Sequence, residues 1–294
     1  MIAPCLKPGG TIGVCSPSHI ARREEYRELL DTLRGLGFRV KEADNLYSDA
    51  YGYGAPPEAR AADFNQLIRD PEVELVMFGG GEGGNELLPL IDFDEIRRQP
   101  KRILSYSDST TILGAVWALT GLEVYYGQSP GHFRGISDYN LRNFRAFLMG
   151  DAPEHIASGP WRVQTGGVGE GVLAGGYARN FAMMIGSRYY PVDLNRKYVL
   201  FIEDHEKFGG VDYVSAMLSH IEQTDFVQSV TGLLFGHYST ADHPELQARI
   251  RRFGERWGIP AVCCDDFGHG ENHAVLRVGH RVRLDADHGT LRYL

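Results

Sequence analysis

The chain has 294 residues, enough for one large domain or two modest ones with a real core. Its 43% hydrophobic, 11% aromatic and 23% charged residues describe an ordinary globular protein rather than a disordered one. A net charge of −8 argues against nucleic acid as partner, since that binding needs clustered Lys and Arg, and no stretch approaches the roughly 20 apolar residues that span a bilayer.

Residues 1–19 hold a short apolar strand but no charged segment followed by a long apolar run, so a cytoplasmic protein is expected. Cys5, Cys15, Cys263 and Cys264 fit a reduced compartment as buried thiols; adjacent Cys263 and Cys264 are poor disulfide partners.

In chain order, Thr11–Cys15 reads as a strand broken by Ser16-Pro17-Ser18. Residues 19–36 carry Tyr26, Leu29, Leu30 and Leu33 at helical spacing, and Phe38–Val40 follows as a strand. Pro57–Arg69 is a helix with Ala61, Phe64 and Ile68 on one face, Val73–Phe78 a buried strand, Lys101–Tyr106 another, and Ser109–Leu119 a helix. Such alternation predicts an α/β half with a Rossmann-like, mostly parallel sheet over residues 1–150, with functional groups at the carboxyl ends of the strands. Residues 151–170, rich in Gly, Pro and polar groups, read as a linker. Beyond them, Tyr198–Ile202 and Thr231–Phe235 are strands and the tail alternates around Asp287-His288-Gly289 as a hairpin, so residues 171–294 are expected to form a β-rich domain.

Four places could carry chemistry. In Ser105-Tyr106-Ser107-Asp108-Ser109, a buried strand runs straight into a helix, a turn that exposes a serine hydroxyl beside unpaired helix N–H groups. The motif is not G-x-S-x-G, and a serine there can equally cap the helix. Residues 79–84 hold five glycines in six positions and match G-x-G-x-x-G, so they suit either an oxyanion-binding wall or a nucleotide. That motif normally follows the first strand of its domain, whereas this run follows a middle one. Glu203 ends an apolar strand, where a carboxylate can be catalytic or can simply meet solvent. His269, flanked by Gly268 and Gly270, suits a general base, because imidazole titrates near neutrality. His269 and His273 beside Cys263 and Cys264 superficially suggest zinc, but no C-x-x-C is present and no metal is expected. A serine, an acid and a histidine at strand ends or loops, in that chain order, together match nucleophilic catalysis with an oriented imidazole.

These segments resemble the LD-carboxypeptidase family, peptidase family S66, which includes murein tetrapeptide carboxypeptidases and microcin C self-immunity proteins. The matching stretches are Gly10–Ser18, Gly80-Gly81 through Asn85 to Asp94, Ser105–Asp108, Phe201–Asp204 and Phe267–His269. The resemblance implies Ser107 as nucleophile, His269 as general base and Glu203 as its orienting carboxylate. It also implies an oxyanion hole from the N–H of Asp108 and of Gly80 or Gly81, a homodimer, and no metal or cofactor. Ser105 and Tyr177 stand where the family more often has Gly and Asn, and Gly79 where the murein branch commonly has Arg. Asn85, Lys207 four residues after Glu203, and Trp161 as an aromatic that could stack on a base are similar to the microcin-immunity branch. The expected function is a serine peptidase acting at the C-terminal end of a small peptide or aminoacyl-nucleotide conjugate, with detoxification of a microcin C-like compound favoured. Murein tetrapeptide cleavage is the alternative, and a nucleotide-binding protein without hydrolysis is the alternative of another class.

Overall fold

The apolar runs of the first half become parallel strands. The computed structural model describes residues 1–294, which divide into two units, Met1–Asp151 and Ala152–Leu294. In the first, β1 (Thr11–Cys15), β2 (Arg39–Glu42), β3 (Val73–Phe78), β4 (Arg102–Ser105) and β5 (Val124–Tyr126) lie in the order β5-β4-β3-β1-β2, all neighbours parallel. The crossovers carry α1 (Arg23–Gly35), α2 (Pro57–Arg69), α3 (Phe93–Arg98) and α4 (Thr110–Thr120), and α5 (Asp138–Leu148) follows β5. This is the expected Rossmann-like sheet, and its order reverses between β1 and β3, where open parallel sheets leave a crevice at the strands' carboxyl ends.

Helix α1 buries Tyr26, Leu29, Leu30 and Leu33, the stripe read from the sequence. It begins at Arg23 rather than at residue 19, because the chain is still turning after β1 and the Ser18 carbonyl accepts the Glu82 N–H at 2.7 Å. The wholly buried Arg102 guanidinium donates to the carbonyls of Pro4, Phe147 and Gly150 and to the Asp151 carboxylate at 2.8 Å. That network satisfies a charge which would otherwise be costly in the interior, and it ties both ends of the unit to β4.

The second unit is built on β6 (Arg162–Thr165), β7 (Val168–Tyr177), β8 (Tyr198–Glu203), β9 (Val230–His237), β10 (Ala261–Gly268), β11 (Leu276–Val278), β12 (Arg281–Asp285) and β13 (Thr290–Tyr293). Seven strands form one sheet in the order β13-β12-β7-β8-β9-β10-β6, parallel from β7 to β10 and antiparallel at both margins. Helices α6 (Ala178–Met184), α7 (Val211–Glu222) and α8 (Pro244–Trp257) pack with it. The tail hairpin is β12–β13, as its alternation predicts. Of the expected linker, residues 162–165 are instead strand β6, paired with β10, and Val168–Glu170 open β7. The short, exposed edge strand β6 and the glycine-containing start of β7 carry too weak an alternation to be distinguished from loop.

Candidate active site

Ser107 follows β4 and starts a 3-10 turn, Ser107–Ser109, that leads into α4. Its φ of 61° makes it the only non-glycine residue with a left-handed backbone. Such a conformation costs an L-residue roughly 1–2 kcal/mol and persists only where the surrounding structure holds it. Its N–H donates to the Tyr126 hydroxyl at 3.0 Å, from the end of the neighbouring strand β5.

The glycine run is pressed against this turn. A β-carbon on Gly80 would lie 2.6 Å from Ser107 Cβ, so no other residue fits there without moving the serine. The Ser109 hydroxyl donates to the Gly79 carbonyl at 3.0 Å, the Ser105 hydroxyl to the Phe78 carbonyl at 2.7 Å, and the Gly84 N–H to Asp108 Oδ2 at 2.8 Å. Gly80 and Asp108 thus border Ser107, while Gly81 packs on Ser18 and His19. The run leads into a four-residue 3-10 turn, Gly84–Leu87, rather than an α-helix, so the helix N-terminus on which a dinucleotide motif depends is not formed. Asn85 lies exposed in that turn.

In the second unit, β8 is buried along its length, as a strand covered on both faces must be, and it carries Glu203 into the interior at 0% exposure. His269, immediately after β10, places Nδ1 2.8 Å from Glu203 Oε2. Gly268 permits this, with φ 112° and a position where a β-carbon would come within 3.0 Å of that oxygen. Burial acts to lower the His269 pKa, but the Glu203 charge and hydrogen bond, with Asp204 adding to them, raise it overall. The rings of Phe208 and Tyr177 stand 5.0 and 5.3 Å from the imidazole, centre to centre. Lys207 is exposed and forms no ion pair, and its N–H donates to His205 Nδ1 at 3.1 Å.

Trp161 is held in place: its indole N–H donates to Asp266 Oδ2 at 2.7 Å. Asp266 also accepts from the Ser158 N–H and hydroxyl and bonds His155 Nε2 at 2.8 Å. Burial would raise the Asp266 pKa, but these bonds lower it. The structure therefore joins Gly80 to Ser107 and Glu203 to His269, and gives Asp266 to Trp161 and His155.

Sequence reasoning passed over Tyr126 and His19, and gave Asp204 no role beyond a stand-in for Glu203. The first two lie at or just beyond strand ends, so the rule that placed Ser107 could have found them. Asp204 is buried beside Glu203 with Oδ1 accepting the His205 N–H at 2.7 Å and Oδ2 without a hydrogen-bond partner. Burial, with the Glu203 charge adding to it, pushes its carboxyl up to about 7. A carboxyl raised on folding binds its proton more tightly in the native state, so its stabilisation is full below the ordinary value of 3.8 and is lost as pH rises towards 7. Asp204→Asn should remove this loss: from pH 5 to 8, urea unfolding should show the variant losing less stability than the parent, by on the order of 2–3 kcal/mol. Equal pH dependence in both proteins would show that Asp204 does not titrate in this window.

The LD-carboxypeptidase N-terminal domain family matches residues 12–127 and the LD-carboxypeptidase C-terminal domain family residues 170–284. A Treponema pallidum protein named as a carboxypeptidase is 27% identical over 96% of this chain and 91% of its own. The microcin C7 self-immunity protein MccF of Escherichia coli is 24% identical over 98% of this chain and 94% of its own. Among solved structures, an MccF-like protein from Bacillus anthracis superposes with a TM-score of 0.92 at 24% identity, covering 100% of this chain and 99% of that one. MccF in complex with aspartyl sulfamoyl adenosine gives 0.88 at 22% (100% and 98%), and the muramoyltetrapeptide carboxypeptidase of Oxalobacter formigenes 0.81 at 22% (96% and 97%). With both halves matched in order along the chain, this protein belongs to the LD-carboxypeptidase family of peptidases.

Proposed function

We propose that the protein is a serine peptidase in which Ser107 attacks an amide carbonyl, His269 takes the serine proton and Glu203 orients the imidazole. The observation that carries this reading is the 2.8 Å bond between His269 Nδ1 and the fully buried Glu203, the arrangement that holds an imidazole in one tautomer with Nε2 as the base. The chemistry needs Ser107 Oγ to lose its proton to His269 Nε2 as the Oγ–carbon bond forms. The same proton then goes to the leaving nitrogen as the amide bond breaks, and water releases the acyl group. The Asp108 N–H, with that of Gly80 or Gly81, would bind the oxyanion. A fluorophosphonate probe tests the reading: labelling that Ser107→Ala abolishes supports it, and labelling that survives the substitution refutes it.

For substrate, the proposal is an aminoacyl-nucleotide conjugate of the microcin C type, cleaved in the cytoplasm by a homodimer as a detoxifying step. MccF has been crystallised with aspartyl sulfamoyl adenosine, and here Lys207 and Phe208, 58% exposed, stand in the loop beside His269. A lysine there can meet a phosphate or sulfamoyl group, and an exposed ring can stack on a base. Murein tetrapeptide is the second reading, favoured by the likeness to a muramoyltetrapeptide carboxypeptidase. Gly79 supplies no cation for a free peptide carboxylate. Mass spectrometry of products from both compounds decides between them. Lys207→Ala should lower kcat/KM for the nucleotide conjugate about tenfold, the size of one charge-assisted contact, and leave the tetrapeptide rate within about twofold. Equal losses on both would remove Lys207 from substrate choice.

A further inference from the structure

Gly79 and Gly80 lie between two side chains of the first unit. A β-carbon on Gly80 would come within 2.6 Å of Ser107 Cβ, and one on Gly79 within 2.8 Å of His19 Cε1. His19 leaves the carboxyl end of β1 and Gly79 that of β3, the pair of strands between which the sheet order reverses. Ligands of open parallel sheets bind at that point. A hollow of about 240 Å³ opens there, lined by His19, Tyr26, Gly79, Gly80, Tyr106 and Arg134 among others.

One ring nitrogen of His19 is partnered and the other is not. His19 Nε2 is bonded to the Tyr26 hydroxyl, and burial raises the pKa of that phenol, keeping it protonated. A phenol has a single hydrogen to give; donated to Nε2, it leaves the ring proton on Nδ1. Nδ1 is buried and has no hydrogen-bond partner. Burial also pushes the His19 pKa down to about 4, so the ring is neutral near neutrality. A buried N–H left unsatisfied costs roughly 1–3 kcal/mol, a cost that a ligand oxygen in the hollow would remove.

We infer that His19 is a substrate-positioning residue, its Nδ1–H donating to a carbonyl or carboxylate oxygen of the substrate one glycine away from Ser107. The inference rests on the serine-peptidase reading and adds a specificity contact on the first unit. It also accounts for Gly79, since any side chain there would displace the ring.

The test is protection of Ser107 from a fluorophosphonate by aspartyl sulfamoyl adenosine and, separately, by murein tetrapeptide. With the ligand that protects the parent, His19→Ala should raise the half-protecting concentration about tenfold, as loss of one hydrogen bond to a buried donor does. The unprotected labelling rate, measured beside it, separates a lost contact to the ligand from a damaged Ser107 site. His19→Gln, which keeps an N–H, should stay within about threefold of the parent, and Gly79→Ala should behave like His19→Ala. Unchanged protection in His19→Ala, or no protection of the parent by either ligand, overturns the inference while Ser107-dependent labelling leaves the peptidase reading standing. Absence of that labelling removes the reading, and the inference with it.

Discussion

Ser107→Ala and His269→Ala should each lower turnover by about 10⁴- to 10⁶-fold, and the double substitution should be little worse than either alone, because nucleophile and base act as a unit. In the proposed mechanism no acyl intermediate forms without Oγ, and without the imidazole the hydroxyl keeps its proton at neutral pH. The two changes differ in what they do to the fold. Ser107→Ala removes one oxygen from a residue whose left-handed backbone is already held by Tyr126. His269→Ala leaves the fully buried Glu203 without its bonded imidazole, and breaking a buried pair costs about 3–5 kcal/mol. His269→Gln, which can still donate to the carboxylate, is therefore the fairer test of the base. Steady-state rates and melting temperatures measured together separate lost chemistry from lost fold. Substantial activity in Ser107→Ala would end the serine-nucleophile reading.

Glu203→Gln should keep the shape of the site and lower the rate by about 10⁴-fold, the scale seen when an orienting carboxylate becomes an amide and the imidazole tautomer is no longer enforced. It should also move the pH profile. His269 has its pKa raised above 6.5 because the Glu203 charge and hydrogen bond outweigh burial. A general base works only when unprotonated, so activity of the parent should fall as pH drops through a value above 6.5. With the charge gone, burial dominates and the acid limb of kcat/KM should shift to lower pH even as the plateau rate falls. A Glu203→Gln enzyme with the parent's rate and acid limb would show that another carboxylate holds the histidine. Asp266 is committed to Trp161, Ser158 and His155, so Asp204, beside Glu203 with one oxygen unpartnered, would be the carboxylate to test next.

The strand-end rule explains how much of the site was legible. Ser107 and Glu203 follow or end an apolar run, which reads as a strand whatever its neighbours, whereas His269 was legible only as a histidine between two glycines. The bond between His269 and Glu203 was not legible, because it joins residues 66 positions apart through the parallel pairing of β8, β9 and β10. Trp161 shows the opposite limit. Its surroundings read as a linker, yet its indole donates to a carboxylate 105 positions away. Sequence composition describes how a segment meets water; it says nothing of which distant group satisfies a polar atom.

Local pattern, then, determined most elements of the first unit and the strand-to-helix turn at Ser107, because hydrophobic period acts over a few residues; β5, α3 and α5 and the order of the strands were not legible in it. Only the tertiary structure decided which carboxylate faces His269, that Asp204 beside it is buried with one oxygen unsatisfied, and that Gly79 and Gly80 are bare because His19 and Ser107 fill the space beside them. Those facts depend on close packing between segments far apart in the chain, where a single β-carbon at under 3 Å is forbidden and a buried charge must find its partner.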